Sequence, residues 1–282
     1  MHKWLNSWLL IGFILSLPRI GQAQNKATWL PQGHLFETIL LDPLEAQIGG
    51  SLVKNSNGEL NHHGLYAPFS IGGKKELVRW SNTPLGKGES EFGLDVVALT
   101  QFELYEDAND TKRRMMNVDY RIGLHYQFRN ETSSTRVRLY HLSSHLGDDY
   151  VISRGITSFF ENKVNYEQID VTHSVQYRSI RYYGGLGLSL RPFTERKPLM
   201  LQGGIFYRGE GYFRKMIAGV DMKLWQQTQF IPNLKAAWGF EWGESSQSLS
   251  LLIEGYTGKL PYSPLEQASI SWLGIGIYFK PF

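Results

Sequence analysis

The chain has 282 residues and no cysteine, which excludes a disulfide framework, thiolate metal sites and cysteine nucleophiles. Its formal charge of +3 comes from 29 Lys and Arg interspersed with 26 Asp and Glu, a balance that argues against nucleic acid as a partner. Aromatic residues at 13% and 29 glycines suit a barrel with aromatic girdles and strands that bend or pack closely.

The N-terminus reads as a secretory signal peptide over residues 1–23. Lys3 supplies a short charged region, residues 4–17 an apolar stretch, and Gly21-Gln22-Ala23 a small-residue site before Gln24. The apolar stretch is shorter than the ~20 residues a spanning helix needs, so cleavage after Ala23 is expected, leaving residues 24–282 as one domain. Nothing later resembles a spanning helix, and a mean hydropathy of −0.29 is what alternating strands would give. His62-His63 falls in a loop, where a histidine pair is a weak metal candidate.

From there on, segments of about ten residues alternate polar with apolar and are separated by the turn clusters EDANDTK, RNETSS, RPFTERK and GESSQS. The clearest are residues 94–104, 118–128, 137–145, 165–177, 199–207, 218–224, 234–242, 249–255 and 273–279, and the full count is about twelve strands. Val118, Tyr120, Ile122, Leu124, Tyr126 and Phe128 form one face of a strand whose other face carries Asp119, Arg121, His125 and Gln127. Such a pattern fits either a soluble barrel with aliphatics inside or a transmembrane barrel with the charges inside. The end of the chain favours the second. IGIYFKPF stops at Phe282, and a terminal aromatic after an alternating strand resembles the signal read by the outer-membrane assembly machinery. The expected fold is all-β, a transmembrane antiparallel β-barrel of about 12 strands in the outer membrane of a Gram-negative-type bacterium. Its partners would be outer-membrane lipids and, during biogenesis, that machinery. Arg121, Arg136, Arg138, Glu103, Asp119, Asp221, Glu241 and Glu254 would then form a buried network that fills or narrows the lumen.

In that barrel the segment TRVRLYHLSSH (135–145) turns Arg136, Arg138 and Tyr140 inward and Val137, Leu139, His141, Ser143 and His145 towards lipid near the outer rim. The next strand presents Asn165 and Glu167 on the same side. Pairing across the 146–164 loop would set His141 opposite Glu167 and Ser143 opposite Asn165, with facing Cβ atoms within ~5.5 Å. Those are the parts of a nucleophile (Ser143), a base (His141) and an orienting group (Glu167 or Asn165). Acyl-ester hydrolysis on outer-leaflet phospholipid or lipopolysaccharide is the reaction they would serve. Asp148 and Asp149 offer hard oxygen ligands to a divalent cation such as Ca2+. Two other readings stand beside this one: a non-enzymatic structural barrel or narrow pore with a charged lumen, and a surface-binding barrel acting through loops such as TGKLPYSPLEQ.

HLSSHLGDDY (141–150), NYE (165–167), YTGKLPYSP (256–264) and LDPLE (41–45) resemble a family of bacterial outer-membrane barrels classed as a domain of unknown function. That resemblance implies fold and location over nearly the whole mature chain, and no activity. A second, local resemblance is to the outer-membrane phospholipase A and lipid A deacylase barrels. It implies a His-x-Ser pair on the lipid face near the outer rim, matched by His141 and Ser143, with Asn165 or Glu167 on the neighbouring strand.

Overall fold

The computed structural model describes residues 26–58, 64–83, 86–107, 110–156, 164–211, 214–243 and 247–280. The signal segment, His62-His63 and the terminal Phe282 lie outside the described residues. A three-residue strand, β1 (Ala27–Trp29), precedes twelve longer ones. These are β2 (Ile48–Gly58), β3 (Leu65–Thr83), β4 (Gly86–Asp107), β5 (Asp110–Arg129), β6 (Ser133–Leu146) and β7 (Asn165–Tyr177). The second half is β8 (Ile180–Ser189), β9 (Leu199–Arg208), β10 (Arg214–Trp225), β11 (Asn233–Gly243), β12 (Ser248–Lys259) and β13 (Ser269–Lys280). Among the described residues one α-helix of about two turns, α1 (Asp148–Arg154), follows β6.

Each strand from β2 to β13 pairs antiparallel with its chain neighbours, and β13 returns to β2, with Phe279 opposite Ile48, to close a 12-stranded barrel. Closure leaves no ladder unpaired in hydrocarbon, the condition for a sheet to span a membrane. β1 lies outside this ring on the edge of β3, pairing Ala27 with Trp80 and Trp29 with Val78. Both Ile48 and the end of β13 lie at one end of the barrel, here the near end, which carries the short turns; residues 147–164, 190–198, 226–232 and 260–268 connect strands at the far end.

Alternation resolves as the transmembrane pattern. Ile122, Leu124, Leu139, Val171, Leu186, Leu201, Ile253 and Ile275 are exposed on the outer wall. Arg121, Arg136, Arg138, Glu103, Asp119, Asp221, Glu241 and Glu254 are all buried inside, as is His125. Residues 31–47 run through the lumen and pair with part of this charge, while other wall charges pair with one another, as Arg121 does with Asp95 at 2.7 Å. Glu45 accepts from both terminal nitrogens of Arg136, at 2.6 and 3.1 Å, and Asp42 from Lys223 Nζ at 2.6 Å. Asp42 Oδ1 also takes the Leu44 amide at 2.9 Å, so LDPLE is a tight Asx-type turn inside the barrel. Between these ion pairs Leu35, Phe36, Ile39, Leu40, Leu41 and Leu44 are buried, with Phe36 stacked between the guanidiniums of Arg136 (4.6 Å) and Arg181 (5.0 Å). The far end is closed in the same way: Leu260, Tyr262 and Ser263 of the β12–β13 loop are buried, Arg196 holds Glu266 with two 3.0 Å bonds, and the loop named above as a surface candidate is folded inward.

Candidate functional site: a polar patch on the outer wall

β6 places Arg136, Arg138, Tyr140 and Leu142 in the interior and Leu139, His141, Ser143 and His145 outside. Its register with β7 is the one the pattern led us to expect, with Leu139 opposite Ile169, His141 opposite Glu167 and Ser143 opposite Asn165. On its other side β6 meets β5, which sets Ile122 beside His141 and Tyr120 beside Ser143. On β6 and β7 the apolar band therefore ends at the Leu139–Ile169 rung, while β5 carries it one rung further with Ile122. One rung beyond Leu139–Ile169 towards the far end, ~7 Å on at the strand rise, β6 and β7 become polar.

His141 Nδ1 lies 3.0 Å from Glu167 Oε1, and both side chains are about 40% exposed. With Glu167 as acceptor the proton belongs on Nδ1, which leaves Nε2 as the basic nitrogen of the ring. Arg191, in the turn after β8, closes on Glu167 from the other side: its Nε is 2.9 Å from Oε2 and its Nη2 3.0 Å from Oε1. The same Nη2 reaches Asn165 Oδ1 at 3.5 Å. A carboxylate on an outer wall is costly unless paired, and here it is paired twice.

The serine makes a different contact from the one its neighbours suggest. Ser143 Oγ lies 2.9 Å from Nε2 of His145, and among the described residues no hydrogen bond joins it to His141. His145 is exposed and tilts against Tyr120, ring centroids 6.3 Å apart. Two histidines thus bracket the hydroxyl, each two residues from it on one face. Sequence reasoning noticed His145 on this face and gave it no role. It missed Arg191 too, although a basic residue two positions beyond an outward-facing strand end, in the RPFTERK cluster, was the available signal.

Asp148 and Asp149 are exposed on the first turn of α1, where the unpaired amides favour negative charge. Among the described residues no group of three or more His, Asp or Glu side chains is arranged to hold a metal ion.

A closed, charged-inside antiparallel barrel with a polar rim defines a protein of the outer-membrane type. The chain belongs to the family described as protein of unknown function (DUF1207), whose model matches residues 18–280. No curated protein matches it. Among solved structures the chain is similar to outer membrane phospholipase A from Escherichia coli, at 11% identity and a TM-score of 0.57 over 84% of this chain and 90% of that one. It is also similar to the Salmonella typhi outer membrane phospholipase dimer with bound calcium, at 11% identity and a TM-score of 0.56 over 84% and 91%. At this identity the likeness is one of fold.

Proposed function

We propose that this barrel resides in the outer membrane with its far end outermost, and that it hydrolyses acyl esters of phospholipid or lipopolysaccharide in the outer leaflet. The sidedness rests on the distribution of long and short connections. The reaction rests on one observation above all: His141 Nδ1 is 3.0 Å from a carboxylate on the neighbouring strand, while a serine on the same face stands one rung away. The named activity of the two phospholipases of similar fold supports the same class of reaction.

Rotation of Ser143 about its Cα–Cβ bond moves Oγ from His145 towards His141. Oγ then attacks the ester carbonyl carbon as Nε2 of His141 takes the hydroxyl proton, and Glu167 stabilises the imidazolium that forms. The carbonyl π pair moves onto oxygen. On collapse the C–O bond to the alcohol breaks, and that alcohol leaves with the proton from His141. Water repeats the sequence on the acyl-serine and releases the fatty acid. With its Oδ1 turned to Arg191, Asn165 would serve the carbonyl oxygen through its amide N–H groups. An ester bond near the headgroups is the part of a lipid that lies level with a site just beyond the last apolar rung.

The test is fatty-acid release from phospholipid and from lipopolysaccharide by the refolded full chain and by Ser143→Ala, with and without calcium. Release that disappears in the variant supports the reading. A correctly folded wild-type barrel that releases no fatty acid from either lipid, in either buffer, overturns it.

A further inference from the structure

At the near mouth, remote from Ser143, the lumen holds a cavity of about 410 Å³ between the two ends of the interior segment, the middle of β3 and the near ends of β5, β6, β7, β8, β9 and β13. That volume lies within the ~300–1,000 Å³ typical of small-molecule sites. Lys74, Arg181, Arg208 and Lys280 stand on its wall, and at its exposed rim Arg129, paired with Glu89 at 3.1 Å, stands beside Glu131. Lys74 donates to the Phe36 carbonyl at 2.9 Å and has Glu45 and Glu76 in its electrostatic neighbourhood. Arg181, Arg208 and Lys280 divide two carboxylates, Glu37 and Glu241. Arg208 binds Glu37 and lies 3.0 Å from Glu241. Lys280 Nζ is 3.7 Å from Glu241, beyond hydrogen-bond reach. Arg181 spends its donors on neutral groups, Ser174 Oγ (2.7 Å) and the Glu37 and Thr38 carbonyls (2.8 and 3.2 Å), and its nearest carboxylate oxygen is 3.9 Å away.

A cationic surplus is therefore built into the wall, beside neutral groups suited to a hydroxylated ligand. Ser133, Ser174 and Gln176 line the same space.

We propose that this near-mouth cavity binds a phosphate group carrying a hydroxyl-rich substituent, the phosphate on Lys280, Arg208 and Arg181 and the hydroxyls on Ser133 and Gln176. The chemistry is shared by a soluble sugar phosphate and by the headgroup of phosphatidylglycerol. The reading is independent of the hydrolase proposal.

The experiment is calorimetric titration of the full chain, refolded in a zwitterionic detergent, with glucose 1-phosphate, glucose and inorganic phosphate, alone and with phosphatidylglycerol in the micelle. Glucose 1-phosphate should bind saturably and more tightly than glucose or phosphate. Lys280→Gln and Gln176→Glu, which adds an acid at the rim without removing a cation, should each weaken it about tenfold, ~1.4 kcal/mol. Competition by phosphatidylglycerol supports the site with the headgroup as its source, and absence of competition supports it with the soluble ligand. No saturable binding of glucose 1-phosphate or phosphatidylglycerol, or undiminished binding in both variants, overturns it.

Discussion

Arg136 grips Glu45 with both terminal nitrogens and so ties a wall strand to the chain segment inside the lumen. Arg138 approaches the same carboxylate at 3.7 Å while holding Asp170 at 2.8 Å. All four groups are buried, so removing Glu45 leaves the Arg136 guanidinium without its acid while Arg138 keeps Asp170. Glu45→Ala should destabilise the barrel by about 3–5 kcal/mol. The thermal midpoint in detergent, read by the mobility shift between folded and unfolded forms, measures this, and an unchanged midpoint would sink the claim.

Glu37 makes the near end sensitive to acid. Burial alone would raise its pKa, but the guanidiniums of Arg208 and Arg181 outweigh that effect and hold it at about 2. A carboxyl held lower in the folded than in the unfolded chain stabilises above its unfolded value of about 4.5. That contribution disappears as pH falls towards 2. The melting temperature should therefore decline between pH 5 and pH 2.5, and Glu37→Gln should flatten the decline. Equal slopes in both proteins would assign the acid sensitivity to other groups.

The two histidines around Ser143 should separate kinetically. His141 has the carboxylate partner that stabilises an imidazolium, whereas His145 holds only the resting hydroxyl. On that basis His141→Ala loses about 10²–10⁴ in rate, the scale of a positioned general base. His145→Ala should lose about tenfold or less. A reversed order would make His145 the base.

Arg191 sits on a half-exposed rim, where ion pairs contribute about 0–1 kcal/mol to stability. Arg191→Met should therefore fold and melt almost as the wild type does. Its expected defect is in hydrolysis, about tenfold, because Glu167 loses the two-point clamp that fixes it against His141. Recovery by Arg191→Lys should be incomplete, since an ammonium cannot reproduce that fork. A large loss of stability in Arg191→Met would reveal a structural role instead.

The strand period carried most of the architecture. Arg136 and Arg138 alternating with Val137 and Leu139 are enough to say which face meets lipid once a membrane is assumed, and the His141–Glu167 register follows from antiparallel pairing across one loop. β2, β3 and β8 were less legible. Pro68 and the Lys74-Lys75-Glu76 run interrupt β3, and Gly184-Gly185 with Gly187 dilutes the alternation of β8. The interior segment could not be read at all. Residues 31–47 have no regular period, because a chain that fits between existing side chains follows their shapes. Their buried acids acquire meaning only beside Lys223 and Arg136, some 90–180 residues away in the chain. At the patch, Ser143 could be paired with either flanking histidine on sequence spacing alone.

β1 on the edge of β3 and Ile48 at the start of β2 anchor the two ends of the lumen segment in the wall itself. Both anchors lie at the near end, so residues 31–47 enter and leave the lumen through one mouth. The joining of β13 to β2, which brings Phe279 to Ile48, links the most distant strands of the ring and bears the largest loop-closure entropy of any pairing in it. The segment that fills the lumen therefore leads straight into the seam strand, and contacts made inside the barrel help hold in place the residue at which the ring closes.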